Sequence, residues 1–329
     1  MKNLLIIITV IVSQIANSQI NEGYDSFIES DIDIAIFYYN NGIDKIETED
    51  YKGALQDFDM AIILNPNDAD AYHNRAFIKD HLEDFIGAIE DYTRSIMLDP
   101  NNYVSYNNRA MLKSYFDANK GALQDINRAI ILNPNDAFYY NNRGVVNEEL
   151  GNLDEAFKDY NKAIIIKPNE PYIYKNRGLV KANLEDYKGA IEDYNKAINL
   201  NPNYAEAYYN RGNANNDLKN YNASIKDYNK AILLDPNYTD SYINRGNVKS
   251  EIGDFEGGIK DFTEAIKLNP NDEDSYNNRG AVKHETGDFK GAIQDYNKAT
   301  ILDPNYAIAY YNRGLTKKKL EDYNGACLD

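Results

Sequence analysis

Asparagine side chains recur along this 329-residue chain in a pattern that suits the binding of an extended polypeptide. A carboxamide offers a hydrogen-bond donor and an acceptor together, which matches the polar groups of a peptide unit. Nine asparagines follow one another at intervals of 34 residues: Asn40, Asn74, Asn108, Asn142, Asn176, Asn210, Asn244, Asn278 and Asn312. We predict that those from Asn74 to Asn278 form a ladder that holds a chain with little regard for its side chains.

The residues next to this ladder differ from one recurrence to the next. A duplicated unit inherits its residues, so recurrence beside divergence is better support for function than recurrence alone. We expect aromatic or acidic contacts with a ligand from Phe138, Tyr172, Tyr209, Asp240 and Asp274. Two alternatives stay open. The aromatic rings could pack internally, and the asparagines could solvate a helix or bond to a neighbouring turn.

Arginine and aspartate recur with the same interval. Aspartate occurs in nine units, from Asp57 to Asp329, and arginine in eight, because the first unit has Asn41 instead. If each aspartate pairs with the arginine of the next unit, the first unit needs no arginine, because no unit precedes it. We therefore predict inter-repeat pairs that set the stacking register, namely Asp57–Arg75, Asp91–Arg109 and Asp159–Arg177. The alternative is that each charge is simply solvated.

The sequence contains none of the motifs that would indicate catalysis. A Gly-rich phosphate loop, an HExxH motif and a nucleophile elbow are all missing. One cysteine, Cys327, and three histidines are too few for a common zinc site. The formal net charge is −17, which argues against non-specific binding of nucleic acid and against adhesion to an anionic membrane. We predict a non-enzymatic protein without metal or cofactor, whose partner is a neutral or basic protein or peptide.

A single repeat of 34 residues positions all of these side chains. Prolines mark its period, at Pro66, Pro100, Pro134, Pro168, Pro202, Pro236, Pro270 and Pro304. With this proline at position 32 of the repeat, position 4 is always tyrosine, position 6 is the ladder asparagine, and position 8 is glycine or alanine. Nine units then cover 35–68, 69–102, 103–136, 137–170, 171–204, 205–238, 239–272, 273–306 and, incompletely, 307–329.

These residues and their period resemble the tetratricopeptide repeat (TPR) family over essentially the whole chain after residue 34. The resemblance implies an all-α fold, a right-handed superhelical solenoid of helix hairpins whose first helices line a concave groove. The ladder itself looks similar to that of the O-linked N-acetylglucosamine transferase family. Position 6 is never basic, which argues against the carboxylate clamp of chaperone-binding members.

Helix signals within one unit agree with this reading. Pro171 suits the start of a first helix, where its missing N–H costs nothing. Asp186 is a plausible cap for a second helix from about Gly189 to Leu200, which Pro202 ends. A single hairpin cannot bury its own apolar face, so neighbouring units must stack.

The N-terminus reads as a secretory signal. Lys2 precedes an apolar run, and small residues precede Gln19, so we expect a signal peptide at 1–18 and cleavage near Ser18. A lead-in segment at 19–34 follows it. The mature protein would be exported, to the periplasm or outside the cell, without stable membrane insertion.

The sequence therefore predicts a scaffold that binds extended peptide segments of partner proteins in its groove. The alternative is the recognition arm, or a fragment, of a larger exported protein that carries a catalytic domain elsewhere. The ninth unit stops at Asp329, position 23, which keeps that alternative open and also allows self-association through an open end. The oligomeric state is not predicted.

Overall fold

The computed structural model describes residues 31–329, and over this range the chain forms 18 α-helices and no β-strand. The expected signal peptide and residues 19–30 of the lead-in segment lie outside the described residues. The chain divides into two compact units, one ending at Leu132 and the other beginning at Asn133.

The first unit contains three helix hairpins in the residues described. Its helices are α1 (Asp31–Glu47), α2 (Tyr51–Leu64), α3 (Ala69–His81), α4 (Phe85–Leu98), α5 (Tyr103–Tyr115) and α6 (Asn119–Leu132). Short loops join the two helices of each hairpin, and each hairpin packs on the next. In this unit, each odd-numbered helix is the first helix of its repeat, and each even-numbered helix is the second.

The second unit continues the alternation over six hairpins. Its helices are α7 (Ala137–Glu149), α8 (Leu153–Ile166), α9 (Pro171–Asn183), α10 (Tyr187–Leu200), α11 (Ala205–Asp217), α12 (Tyr221–Leu234), α13 (Thr239–Glu251), α14 (Phe255–Leu268), α15 (Glu273–Glu285), α16 (Phe289–Leu302), α17 (Ala307–Lys319) and α18 (Tyr323–Leu328). The predicted all-α fold of stacked hairpins is confirmed within each unit.

Local signals fix the helix ends as the sequence predicts. Pro171 is the first residue of α9. The Asp186 carboxylate accepts a hydrogen bond from the Gly189 N–H at 3.0 Å and caps α10. This helix begins at Tyr187, two residues before the predicted start, and ends at Leu200 as predicted. The first helix differs from the others: α1 begins at Asp31, before the predicted unit boundary, and has 17 residues where the other odd-numbered helices have 13.

The bend between the two helices of a hairpin uses a left-handed residue at position 15 of all nine repeats. Glycine fills it in three repeats, at Gly151, Gly253 and Gly287. Six repeats have a residue that pays a steric cost for a positive φ: Glu49, Glu83, Asp117, Glu185, Lys219 and Glu321. This position was not predicted from the sequence, because only three of its nine residues are glycine.

Small residues at position 8 allow an aromatic ring to occupy the centre of most hairpins. The Tyr160 and Tyr194 rings are fully buried. A Cβ added to Gly144 would lie 2.6 Å from Cε1 of Tyr160, so the ring sits directly against the glycine backbone. Most repeats therefore share one core unit, a ring from the even-numbered helix seated on a small residue of the odd-numbered helix.

The charged pairs form within repeats, so the predicted pairing across repeats is wrong. Arg177 Nε and Nη2 donate to Asp193 Oδ2 and Oδ1, at 2.9 and 2.5 Å, and not to Asp159. Asp159 instead accepts from Arg143 of its own repeat. The same pairing recurs as Arg75–Asp91, Arg109–Asp125, Arg211–Asp227, Arg245–Asp261, Arg279–Asp295 and Arg313–Asp329.

The reason is that positions 7 and 23 face each other inside one hairpin. The third nitrogen of the arginine contacts position 25 of the preceding repeat: Arg177 Nη1 donates to Asn161 Oδ1 at 2.6 Å. In the first repeat, which has Asn41, the predicted partner of Arg75 is held differently. Lys45 Nζ lies 2.6 Å from Asp57 Oδ2. Arginine thus still links neighbouring repeats, but through a different acceptor.

A second polar group at position 11 completes each of these buried sites. Lys181 Nζ lies 2.8 Å from Asp193 Oδ2, and equivalent lysines occur in most repeats. Where position 11 is asparagine, its amide takes the same place: Asn215 Nδ2 donates to Asp227 Oδ2 at 3.1 Å.

Across residues 31–329, no helix has the length and apolar character needed to cross a bilayer.

Candidate functional site

The ladder asparagines lie one to each odd-numbered helix, and several are joined to the preceding repeat. Asn74 Nδ2 donates to Tyr39 Oη at 3.0 Å in the first unit. In the second unit, Asn176 and Asn312 donate to Asn141 Oδ1 and Asn277 Oδ1, at 2.9 and 3.1 Å. Position 6 of one repeat is therefore bonded to position 5 of the repeat before it.

Asn244 shows the most complete set of these bonds. Its Nδ2 donates to Tyr209 Oη at 3.1 Å and to Asn213 Oδ1 at 3.0 Å, which uses both of its donors. For Asn74, Asn176 and Asn312, the bond given above uses one donor. No bond to the carbonyl oxygens of these four asparagines is present among the described residues of the same unit. In these four asparagines, the amide N–H groups thus bond to the preceding repeat, and the carbonyl oxygens remain available as acceptors.

The other ladder asparagines have different hydrogen bonds. Asn108 and Asn278 accept from the asparagine directly before them, Asn107 and Asn277, at 3.2 and 3.3 Å. Asn142 likewise accepts from its neighbour and is only 5% exposed. Asn210 is half-buried on α11. The ladder is consequently uneven, with its accessible acceptors concentrated at some repeats.

Two cavities in the second unit open beside ladder residues. One has a volume of about 330 Å³ and is lined by Asn213, Asn216, Asp217, Tyr228, Asn244 and Asn247. The other has a volume of about 300 Å³ and is lined by Ser250, Glu251, Phe255, Ala281, Val282, His284, Glu285, Tyr296, Asn312 and Leu315. Each contains one ladder asparagine and one central core tyrosine, so the ladder borders concave space at these two places.

The predicted aromatic contacts are not equivalent. Tyr209 packs against Tyr238, with ring centroids 4.8 Å apart, and its hydroxyl accepts from Asn244. Tyr209 therefore supports the ladder rather than standing free. Tyr172 is half-buried, and burial raises the pKa of its hydroxyl. Phe138 is 46% exposed on α7 and is the most open of the three.

The predicted acidic residues lie at the starts of their helices. Asp240 and Asp274 are both exposed, and Asp274 accepts a hydrogen bond from the Tyr306 hydroxyl. Glu148 is half-buried on α7 and accepts a hydrogen bond from Tyr160 Oη at 3.1 Å, and burial raises the pKa of its carboxyl group. Asp217, the last residue of α11, is exposed as a whole, although partial desolvation raises the pKa of its carboxyl group. Exposed carboxylates therefore lie on α11, α13 and α15, at Asp217, Asp240 and Asp274.

Apart from Tyr209, the residues that bond to the ladder or shape its cavities were not predicted from the sequence. Positions 5 and 9 carried the available signal, because position 9 changes from apolar residues to Asn213 and Asn247 in two neighbouring repeats only. His284 is a further example, with its Nδ1 2.8 Å from Thr316 Oγ1. Within residues 31–329, no group of three or more His, Cys, Asp and Glu side chains is arranged to hold a metal ion.

Several solved structures have folds similar to that of this chain. A tetratricopeptide repeat protein from Parabacteroides merdae has a TM-score of 0.59 and 21% identity, covering 75% of this chain and 98% of that one. The Cut9–Hcn1 hetero-tetramer of the APC/C has a TM-score of 0.62 and 13% identity, covering 89% of this chain and 57% of that one. Pseudomonas aeruginosa pilF has a TM-score of 0.53 and 20% identity, covering 58% and 87%. At these identities the similarity concerns the fold alone.

Family profiles match the sequence in most of its repeats. One described as TPR repeat matches residues 183–218, 246–287 and 280–320. Two described as tetratricopeptide repeat match residues 137–170 and 205–238, and residues 69–102. No curated protein matches the chain. Because the profile matches together span more than half of the sequence and fall on the helix hairpins just described, the chain belongs to the tetratricopeptide repeat family.

Proposed function

We propose that this protein is a non-enzymatic scaffold that binds extended peptide segments of partner proteins along its odd-numbered helices. Its TPR repeats support a role in protein–protein interaction. The peptide-binding part rests on one observation, the spare carbonyl oxygens of Asn74, Asn176, Asn244 and Asn312, whose amide groups are already held by the preceding repeat.

A fixed acceptor is well suited to a peptide backbone. An extended chain carries an N–H group on every residue except proline, whatever its side chains are. The ladder amides are held in place before the ligand arrives, so binding would lose less side-chain entropy than it would with free side chains. The expected ligand is therefore an extended segment selected loosely by sequence.

Charge narrows the class of partner. The exposed carboxylates on α11, α13 and α15 and the net charge of −17 favour a neutral or basic segment as the ligand and disfavour nucleic acid. The order of charged, apolar and small residues at 1–18 supports export to the periplasm or the outside of the cell. The partner would then be another exported protein.

The test compares a ladder variant with a matched control in selection from a phage-displayed library of short unstructured peptides. The ladder variant combines Asn176→Ala, Asn244→Ala and Asn312→Ala. The control combines Asn203→Ala, Asn237→Ala and Asn305→Ala, which are exposed asparagines in loops between repeats. We expect peptide enrichment by the wild type and the control and its loss by the ladder variant, with all three equally helical by circular dichroism. Equal enrichment by the ladder variant would refute the proposal.

A further inference from the structure

The cavity beside Asn244 departs from the pattern of the repeat array. Position 9 is apolar in seven repeats: Ile43, Phe77, Met111, Val145, Leu179, Ala281 and Leu315. In the two repeats that form this cavity it is Asn213 and Asn247, and position 12 adds Asn216. A structural role shared by all repeats does not explain carboxamides confined to one place.

The hydrogen bonds inside the cavity leave acceptors unused. Asn213 Oδ1 is occupied by Tyr228 Oη at 2.6 Å and by Asn244 Nδ2 at 3.0 Å. Asn216 Oδ1 is buried and has no hydrogen-bond partner among the described residues. Such an atom costs free energy unless a donor reaches it, from water or from a ligand. The Asn244 carbonyl is a second available acceptor.

Charge at the same cavity favours a cationic donor. Asp217 contributes a carboxylate to the lining, and none of the described residues that line the cavity is basic. Acceptors and one negative charge around a space of about 330 Å³ match a group that only donates hydrogen bonds. The guanidinium of arginine has five such donors and the ammonium of lysine has three.

We infer that this cavity, formed by α11, α12 and α13, is an anchor pocket for one basic side chain, preferably arginine, of the peptide bound along the ladder. This inference rests on the proposed function. The guanidinium would donate to Asn216 Oδ1 and Asn244 Oδ1 and pair with Asp217, while the peptide backbone contacts the neighbouring ladder asparagines. The pocket would thus give register to a surface that is otherwise tolerant of sequence.

The test uses the full chain and two small probes, N-acetyl-arginine amide and N-acetyl-citrulline amide, which are similar in size but differ in charge. NMR of isotope-labelled protein follows the side-chain amide signals of Asn213, Asn216 and Asn247. We expect both probes to shift these signals, with the arginine probe binding about fivefold more tightly, as for one partly exposed ion pair.

Variants identify the source of this preference. Asp217→Asn should remove it, whereas Asp154→Asn, an exposed carboxylate on α8, should leave it unchanged. Equal binding of the two probes by the wild type, signal changes spread evenly over many acidic side chains, or an unchanged preference in Asp217→Asn would each overturn the inference.

The two proposals fail in different ways. Ladder-dependent peptide binding without any preference for arginine would refute the pocket and leave the proposed function standing. An arginine-selective pocket together with peptide enrichment that ignores the ladder would refute the proposed function and leave the pocket standing.

Discussion

The buried Arg177–Asp193 pair allows a quantitative test of how the repeats are held together. Arg177 is bonded through two nitrogens to Asp193, and the two side chains are 18% and 5% exposed. Removing one partner of a buried pair leaves the other charge poorly compensated, at about 3 kcal/mol or more. Lys181 softens the loss of Arg177, because it still contacts Asp193 at 2.8 Å.

We expect Arg177→Leu to destabilise the protein by about 3 kcal/mol. Asp193→Leu should cost about 4 kcal/mol, because it leaves both Arg177 and Lys181 without their carboxylate, and the double variant about 5 kcal/mol. The coupling energy is then about 2 kcal/mol. The matched cycle combines Arg177→Leu with Asp159→Leu, which have the same residue types but no direct bond. Its two losses should add to within about 0.5 kcal/mol.

Equilibrium unfolding in denaturant, followed by circular dichroism, measures both cycles. A repeat array unfolds in parts, so the curves need a nearest-neighbour analysis instead of a two-state fit. A larger coupling for Asp159 with Arg177 than for Asp193 with Arg177 would refute pairing within the hairpin.

Three other predictions concern single positions in the second unit. Glu185 has a φ of 62°, so Glu185→Gly should stabilise by about 0.5–1 kcal/mol and Gly253→Glu should destabilise similarly, as measured by thermal unfolding. Gly178→Ala should cost about 1–3 kcal/mol, because a Cβ there would lie 2.6 Å from Tyr194; adding Tyr194→Ile, which copies the Ala110–Ile126 pair, should restore most of it. Burial raises the pKa of Glu148 in the folded protein, so ionisation of this carboxyl group destabilises the wild type as the pH rises through that pKa. The free energy of unfolding of Glu148→Gln should therefore increase relative to that of the wild type from acid to neutral pH. An unchanged difference across that range would contradict this.

The fold could be predicted from the sequence because its signals are local and repeated. Pro171 and Asp186 fix helix ends through their own chemistry, and a period of 34 residues aligns them in every repeat. The left-handed residue at position 15 escaped prediction, since Glu185 and Lys219 occupy a conformation that sequence patterns associate with glycine. Tertiary packing holds these residues there despite their steric cost.

The pairing of charges could not be read from spacing. Positions 7 and 23 recur with the same period in every repeat, so a bond within a hairpin and a bond to the next repeat give the same sequence pattern. The missing arginine of the first repeat suggested the second choice. The structure accounts for it through Arg177 Nη1 and its equivalents, which still need a preceding repeat, while Lys45 serves Asp57.

The recurring asparagines could be found from the sequence, but the hydrogen bonds that hold them could not. Position 6 stood out because it never varies, yet its partners at position 5 differ chemically, from Tyr39 to Asn141, and no spacing rule identifies them. The carboxamides were expected to offer both donor and acceptor to a ligand. In the structure Asn244 uses both donors internally, which leaves the acceptor.

The most direct test of the account is a structure of the full chain bound to a peptide selected from the library. The account predicts an extended peptide on the odd-numbered helices, with backbone N–H groups about 2.9 Å from Oδ1 of Asn176, Asn244 or Asn312. A peptide bound to the even-numbered helices, or bound beside the ladder without contacting those oxygens, would contradict it.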